Sequence, residues 1–152
     1  MKDYFLKGRG FSLKNMQFLV PETKISGTEL TILNFWQWGF SNILTNSLRG
    51  IFAEFLVGAE LGVLNGSRIE WDEYDLFYNG KKIEIKSAAY IQAWYNGTLS
   101  KISFNIGAKK VYDYNSITYS SVSSRNADIY IFSLLKEKDP ERVNPLDTEQ
   151  WE

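Results

Sequence analysis

The chain has 152 residues, 44% of them hydrophobic and 16% aromatic, enough for one soluble domain with a substantial core. Its 17 basic and 18 acidic side chains leave a net charge of −1, so a nucleic acid would have to be held by a local patch, a second subunit or metal-bridged phosphates. There is no cysteine and no histidine. Their absence excludes disulfides, thiolate nucleophiles, Ser-His-Asp hydrolases, histidine-dependent nucleases and zinc sites built on thiolate or imidazole, and leaves an all-oxygen site for Mg²⁺ or Mn²⁺ as the available metal chemistry.

Residues 1–20 carry scattered charge (Lys2, Asp3, Lys7, Arg9, Lys14) without an apolar run long enough for a signal peptide or a membrane span, which leads us to expect a cytoplasmic protein with no membrane partner. No repeat, linker or second domain is visible, so 1–152 is expected to be a single domain, with 1–40 as an extension of its core. Pro21 to Gly27 reads as a loop. Ser26-Gly-Thr-Glu29 has the spacing of a capping box and predicts a helix through about Trp38, ended by Gly39. Its large apolar residues, Leu30, Leu33, Phe35, Trp36 and Trp38, suit core or subunit-interface packing, and less readily a base-stacking platform.

A second helix is predicted from Asn46 or Ser47 to about Leu61, stopped by Gly62. Leu48, Ile51, Phe52, Phe55, Leu56 and Ala59 recur at helical spacing and define its expected buried face. Glu54 falls just off that stripe, with Gly50 and Gly58 one turn away on either side. Each glycine costs a helix roughly 1 kcal/mol relative to alanine, which suggests that a strand or a substrate comes close. Asn65-Gly66 predicts a turn, and 68–71 a short leading strand.

Asn79-Gly80 is a strong hairpin signal, because both residues tolerate the positive φ of a type I′ turn. Pairing Tyr78 with Lys81 sets Phe77 opposite Lys82, Leu76 opposite Ile83, Asp75 opposite Glu84 and Glu73 opposite Lys86. Tyr74, Leu76, Ile83 and Ile85 then share one face, and Glu73, Asp75, Glu84 and Lys86 the other. Like charges directly across a strand pair are destabilising by about 0.2–1 kcal/mol. A divalent cation between Asp75 and Glu84 would reverse that sign, polarise a phosphate and acidify a bound water that Lys86 would help to position. A solvated face of mixed charge is the plain alternative. Asp72 is a weaker partner for Glu84, since the register turns it to the wrong face, and Glu60 lies on the flank of its helix opposite Glu54.

Asp75 and, nine positions on, Glu84-Ile85-Lys86 resemble the PD-(D/E)XK signature of the restriction-endonuclease-like nucleases, with Tyr74 in place of the proline. The stretch IEIKSAAYIQAW with ADIYIFSLL and NPLDTEQWE is similar to small bacterial members of that superfamily. The resemblance spans roughly 45–152. It implies an α/β fold with a mixed central β-sheet flanked by α-helices, Mg²⁺ (or Mn²⁺) as cofactor, and DNA as substrate. It also implies metal ligation by Asp75, Glu84 and the Ile85 carbonyl, a water-orienting role for Lys86, and Glu54 as a further acidic residue of the site.

After the hairpin, Ser87 and Gln92 are polar side chains near enough to touch a phosphate, although ordinary hydrogen bonding explains each equally well. Residues 100–106 alternate and predict a strand or extended segment. Lys101, Lys109, Lys110 and Arg125 form a cluster that could grip a phosphate backbone, a solvated face being the default. Residues 127–135, ADIYIFSLL, predict a central strand buried on both faces. Glu149-Gln150-Trp151 reads as the start of one more element, or as a tail that docks elsewhere. Without a nucleophile elbow, a P-loop or a dinucleotide fingerprint, no nucleotide cofactor is expected and a small-molecule hydrolase is poorly supported. A non-catalytic binding or assembly module with a salt-bridged Asp75–Glu84–Lys86 cluster is the rival to a nuclease. So short a nuclease has little surface for DNA unless it forms a homodimer.

Overall fold

The computed structural model describes residues 19–152 except 69, 71, 111 and 114–116. In chain order the elements are α1 (Ile32–Phe40), α2 (Asn46–Glu60), β1 (Leu76–Tyr78), β2 (Lys81–Ala89), β3 (Tyr112–Asp113), β4 (Thr118–Tyr119), β5 (Ile129–Leu135) and a 3₁₀ turn over Thr148–Gln150. The architecture is α/β. A small mixed sheet runs in the order β1-β2-β5, with β1 antiparallel and β5 parallel to β2, while β3 and β4 form a separate two-stranded ladder.

The hairpin forms with the predicted register, Leu76 opposite Ile83, Phe77 opposite Lys82 and Tyr78 opposite Lys81. Asn79 (φ 47°) and Gly80 (φ 77°) supply the two positive φ values that such a turn demands. The ladder ends sooner than predicted: past Leu76 a single backbone bond, Asp75 N–H to Ile83 O at 3.0 Å, continues it. Beyond that point the chain peels away. Glu73 accordingly meets Lys82 at 2.7 Å rather than Lys86, and the Tyr74 ring joins Phe77 and Lys82 rather than Leu76.

Helix α2 has the predicted bounds, capped by the Thr45 hydroxyl and ended by Gly62 in the left-handed region (φ 66°). Its buried face is rotated from the predicted one. Arg49, Ala53 and Gly58 are buried, whereas Ile51 and Phe55 are exposed. Ala53 packs on Ile83 and Ile85, with Val57, Leu61, Leu76, Ile131 and Trp151 around them, and this layer between α2 and the sheet is the core. Gly58 is the close approach expected of one glycine: a Cβ there would lie 2.5 Å from Leu64 Cδ2 and 3.4 Å from Leu76 Cδ2. Gly50 faces open space.

Helix α1 starts later than predicted, at Thr31, whose N–H donates to Asn34 Oδ1 at 2.9 Å. The Ser26-Gly27 stretch turns the chain instead, with Gly27 at φ 80° and a bridge between Lys24 and Thr31. The helix passes Gly39 and ends at Phe40, and Trp38 is 86% exposed. The leading strand expected over 68–71 falls partly outside the described residues. Residues 101–106 form no strand, yet they alternate as expected, with Ile102, Phe104 and Ile106 more buried than their neighbours.

Strand β5 is not the central strand; β2 is. Ile129 and Phe132 remain 42% and 44% exposed. The outer edge of β5 is covered by the C-terminal tail. Leu134 and Glu152 exchange both backbone bonds, at 2.8 and 3.0 Å, and Lys136 N–H donates to Gln150 O at 2.9 Å. Trp151, whose indole N–H donates to Pro145 O at 3.0 Å, inserts beside Phe52. The tail thus hides a strand edge that would otherwise be open to pairing with another chain. Among the described residues no helix is long and apolar enough to cross a membrane.

Candidate active site

The site forms where β1 stops short and leaves the edge of β2 uncovered. Side chains alternate along β2, so Ile83 and Ile85 enter the core while Glu84 and Lys86 project from the opposite face. Backbone groups alternate in the sheet plane. The bond from Asp75 N–H to Ile83 O shows that the carbonyls of Ile83 and Ile85 both point to the β1 edge. Asp75 takes the vacant place there: its Oδ2 accepts the Ile85 N–H at 2.6 Å. It lies along the edge rather than across from Glu84 on one face, because the ladder has already ended.

Electrostatics tie the acidic residues together. Burial, with further repulsion from Glu54 and Glu84, pushes the Asp75 carboxyl up to about 6, against the opposing pull of the Ile85 N–H and Lys86. Glu84 is only 8% exposed. Burial works to raise its pKa, but hydrogen bonds from Lys109 and Lys86 outweigh that and hold it below the usual carboxylate range. Lys86 Nζ pairs directly with Glu84 Oε1. Lys109 Nζ reaches the same oxygen at 2.5 Å. Glu54 approaches from α2 with both oxygens gripped by Arg68, at 2.5 Å from Nε and 2.8 Å from Nη2.

The structure therefore gathers Asp75, Glu84 and Lys86 with the Ile85 backbone, and sets Glu54 close enough to act electrostatically on Asp75. Among the described residues no group of three or more acidic side chains is arranged to hold a metal ion. The donor chemistry fits a hard cation all the same. The donors are all oxygens, and Asp75 carries a repulsive load from two other carboxylates that an incoming cation would relieve. To take one, Glu84 must give up its lysines and Glu54 its arginine.

Ser87 and Gln92 are absorbed by a residue that sequence reasoning missed. Arg49, 3% exposed, donates to Ser87 Oγ at 3.2 Å, Gln92 Oε1 at 3.2 Å, Leu44 O at 3.1 Å and Asn46 Oδ1 at 2.6 Å. All its acceptors are neutral, and burial lowers its pKa. The network braces the end of β2 against α2 directly after Lys86. Lys101 is exposed. Arg125 donates to Ile106 O at 2.9 Å and so secures the 101–110 segment. Asp72 is exposed and accepts the Glu73 N–H at 2.9 Å.

Lys109 is the second residue missed as an individual. It enters through a bridge to Ser124, with 2.9 Å bonds in both directions. Beside it a cleft of about 390 Å³ is lined by Lys86, Ser87, Phe104, Asn105 and Lys109, with Ser103, Gly107 and Ala108 between them. No family model, curated protein or solved structure matches the chain.

Proposed function

We propose that the protein is a Mg²⁺- or Mn²⁺-dependent nuclease of the restriction-endonuclease-like type that hydrolyses phosphodiester bonds in DNA. The observation that carries this reading is the meeting of Asp75 with Glu84-Ile85-Lys86 at the uncovered edge of β2, sealed by the bond from Ile85 N–H to Asp75 Oδ2. Asp75, Glu84 and the Ile85 carbonyl would hold the cation, with Glu54 joining once Arg68 releases it. The cation would polarise the scissile phosphate and supply a water acidified for attack. Lys86, freed from Glu84, would hold that water in line and offset the charge growing on the phosphate. The cleft beside Lys86 leaves room for the strand to approach.

A non-catalytic module is the second reading, and one observation favours it. Glu84 is satisfied by two lysines and Glu54 by one arginine, which is how a closed ion-pair cluster looks. Incubating the protein with supercoiled plasmid, linear duplex, branched junction and single strand, in Mg²⁺ and in Mn²⁺, separates the two. The nuclease reading predicts metal-dependent cleavage of at least one substrate, lost in Lys86→Ala. No cleavage, together with no rise in melting temperature on adding either metal, would leave the module.

A further inference from the structure

The face of the sheet that carries Glu84 and Lys86 also carries the aromatic side chains of Tyr130 and Phe132. Lys86 and Phe132 are direct partners across the β2–β5 ladder, so their side chains stand on one face about 4.8 Å apart at the backbone. Phe104 crosses over from the 101–107 segment and lies on Phe132, with ring centroids 4.7 Å apart and planes at 31°. Phe132 still leaves 44% of its surface open. Phe104 also lines the cleft that contains Lys86 and Lys109, and the Lys109 side chain, though paired with Glu84, is 62% exposed. Phe104 and two lysines thus line one recess, and the partly open Phe132 ring packs on Phe104 beside it.

We infer that this cleft takes a single-stranded segment of nucleic acid, one unpaired base lying against the Phe104–Phe132 pair and the adjoining phosphates against Lys86 and Lys109. The inference rests on the proposed nuclease reading for the site and narrows its substrate. A base inside a duplex has both faces covered by its neighbours, so only an unpaired or extruded base can offer a face to a ring. The cleft volume lies in the range of small-ligand sites, roughly 300–1,000 Å³, which suits a nucleotide unit rather than the side of a double helix. The same geometry gives Lys109 a role. It neutralises Glu84 while the cleft is free and passes to a phosphate when a strand arrives, which releases a carboxylate oxygen at the moment substrate is present.

Fluorescence anisotropy in EDTA, with a labelled single-stranded oligonucleotide and a duplex of the same length, tests binding apart from cleavage. The single strand is expected to bind at least tenfold more tightly than the duplex. Phe132→Leu, which keeps an apolar side chain but no π face, should weaken single-strand binding about tenfold, and Phe132→Tyr should restore it. Lys109→Ala should weaken binding and lower the salt slope by about one. Duplex binding as tight as single-strand binding, wild-type affinity in Phe132→Leu, or no binding of either probe would overturn the inference. Tight single-strand binding without metal-dependent cleavage would instead overturn the nuclease reading and leave this one standing. Duplex cleavage indifferent to Phe132→Leu would do the reverse.

Discussion

Replacing Asp75 by asparagine should stabilise the metal-free protein at neutral pH, although it removes a residue of the proposed catalytic centre. Asparagine keeps an oxygen to accept the Ile85 N–H and discards the charge that burial, Glu54 and Glu84 penalise. The folded-state pKa of about 6 lies above the ordinary 3.8, so between those values the native state holds more protons than the unfolded chain. Stability from this group is complete below pH 3.8 and is lost as pH rises through 6. The full shift corresponds to about 3 kcal/mol, which partial solvent exposure reduces to about 2 kcal/mol. For a domain of this size that raises Tm by roughly 4–8 °C. Melting wild type and Asp75→Asn in EDTA at pH 5 and pH 8 reads it directly: the variant should be more stable at pH 8, with the gap narrowing at pH 5. A variant less stable than wild type at pH 8, or a difference that ignores pH, would refute the electrostatic reasoning. Saturating Mn²⁺ should reverse the ranking, because ligand at a hundred times its Kd adds about 2.7 kcal/mol to the protein that binds it.

Arg49→Met should cost at least about 3 kcal/mol in urea denaturation, since four acceptors lose a buried donor at once. Gly58→Ala and Gly50→Ala should move in opposite directions by the same assay. The first is expected to cost about 1–3 kcal/mol through its clash with Leu64, and the second to gain up to about 1 kcal/mol of helix propensity in open space. Deleting residues 144–152 uncovers β5 and removes Trp151 from the core; light scattering should then show association, and a monodisperse monomer of unchanged Tm would contradict the edge-covering role.

Local chemistry was legible in the sequence, and long-range contact was not. Asn79-Gly80 gave away the hairpin and three of its registered pairs, because turn type and strand twist are set within a few residues. The bounds of α2 followed from the apolar spacing and Gly62, and the structure adds Thr45 as its cap. Its rotation did not, since counting apolar residues cannot foresee that Arg49 will be buried when its acceptors Ser87 and Gln92 lie about forty positions on. The missed start of α1 is a turn mistaken for a cap: Ser26 to Glu29 has the right letters, but Gly27 at φ 80° bends the chain and Thr31 begins the helix. Strand β5 reads as doubly buried because its residues are apolar, whereas Ile129 and Phe132 keep 42% and 44% of their surface exposed. Spacing singled out Asp75, Glu84 and Lys86, which the structure brings together, but the early end of β1 and the arrival of Lys109 depend on packing that no local pattern records.

The most direct test of the catalytic claim is the initial rate of Mg²⁺-dependent cleavage of a labelled oligonucleotide by wild type, Glu84→Gln and Lys86→Ala, with Lys101→Ala as a control outside the ion-pair cluster. The account predicts cleavage by wild type and Lys101→Ala, a fall of at least about a hundredfold in the other two, and no activity in EDTA. Cleavage by Glu84→Gln and Lys86→Ala at the wild-type rate, or none by folded wild type with either metal, would contradict it.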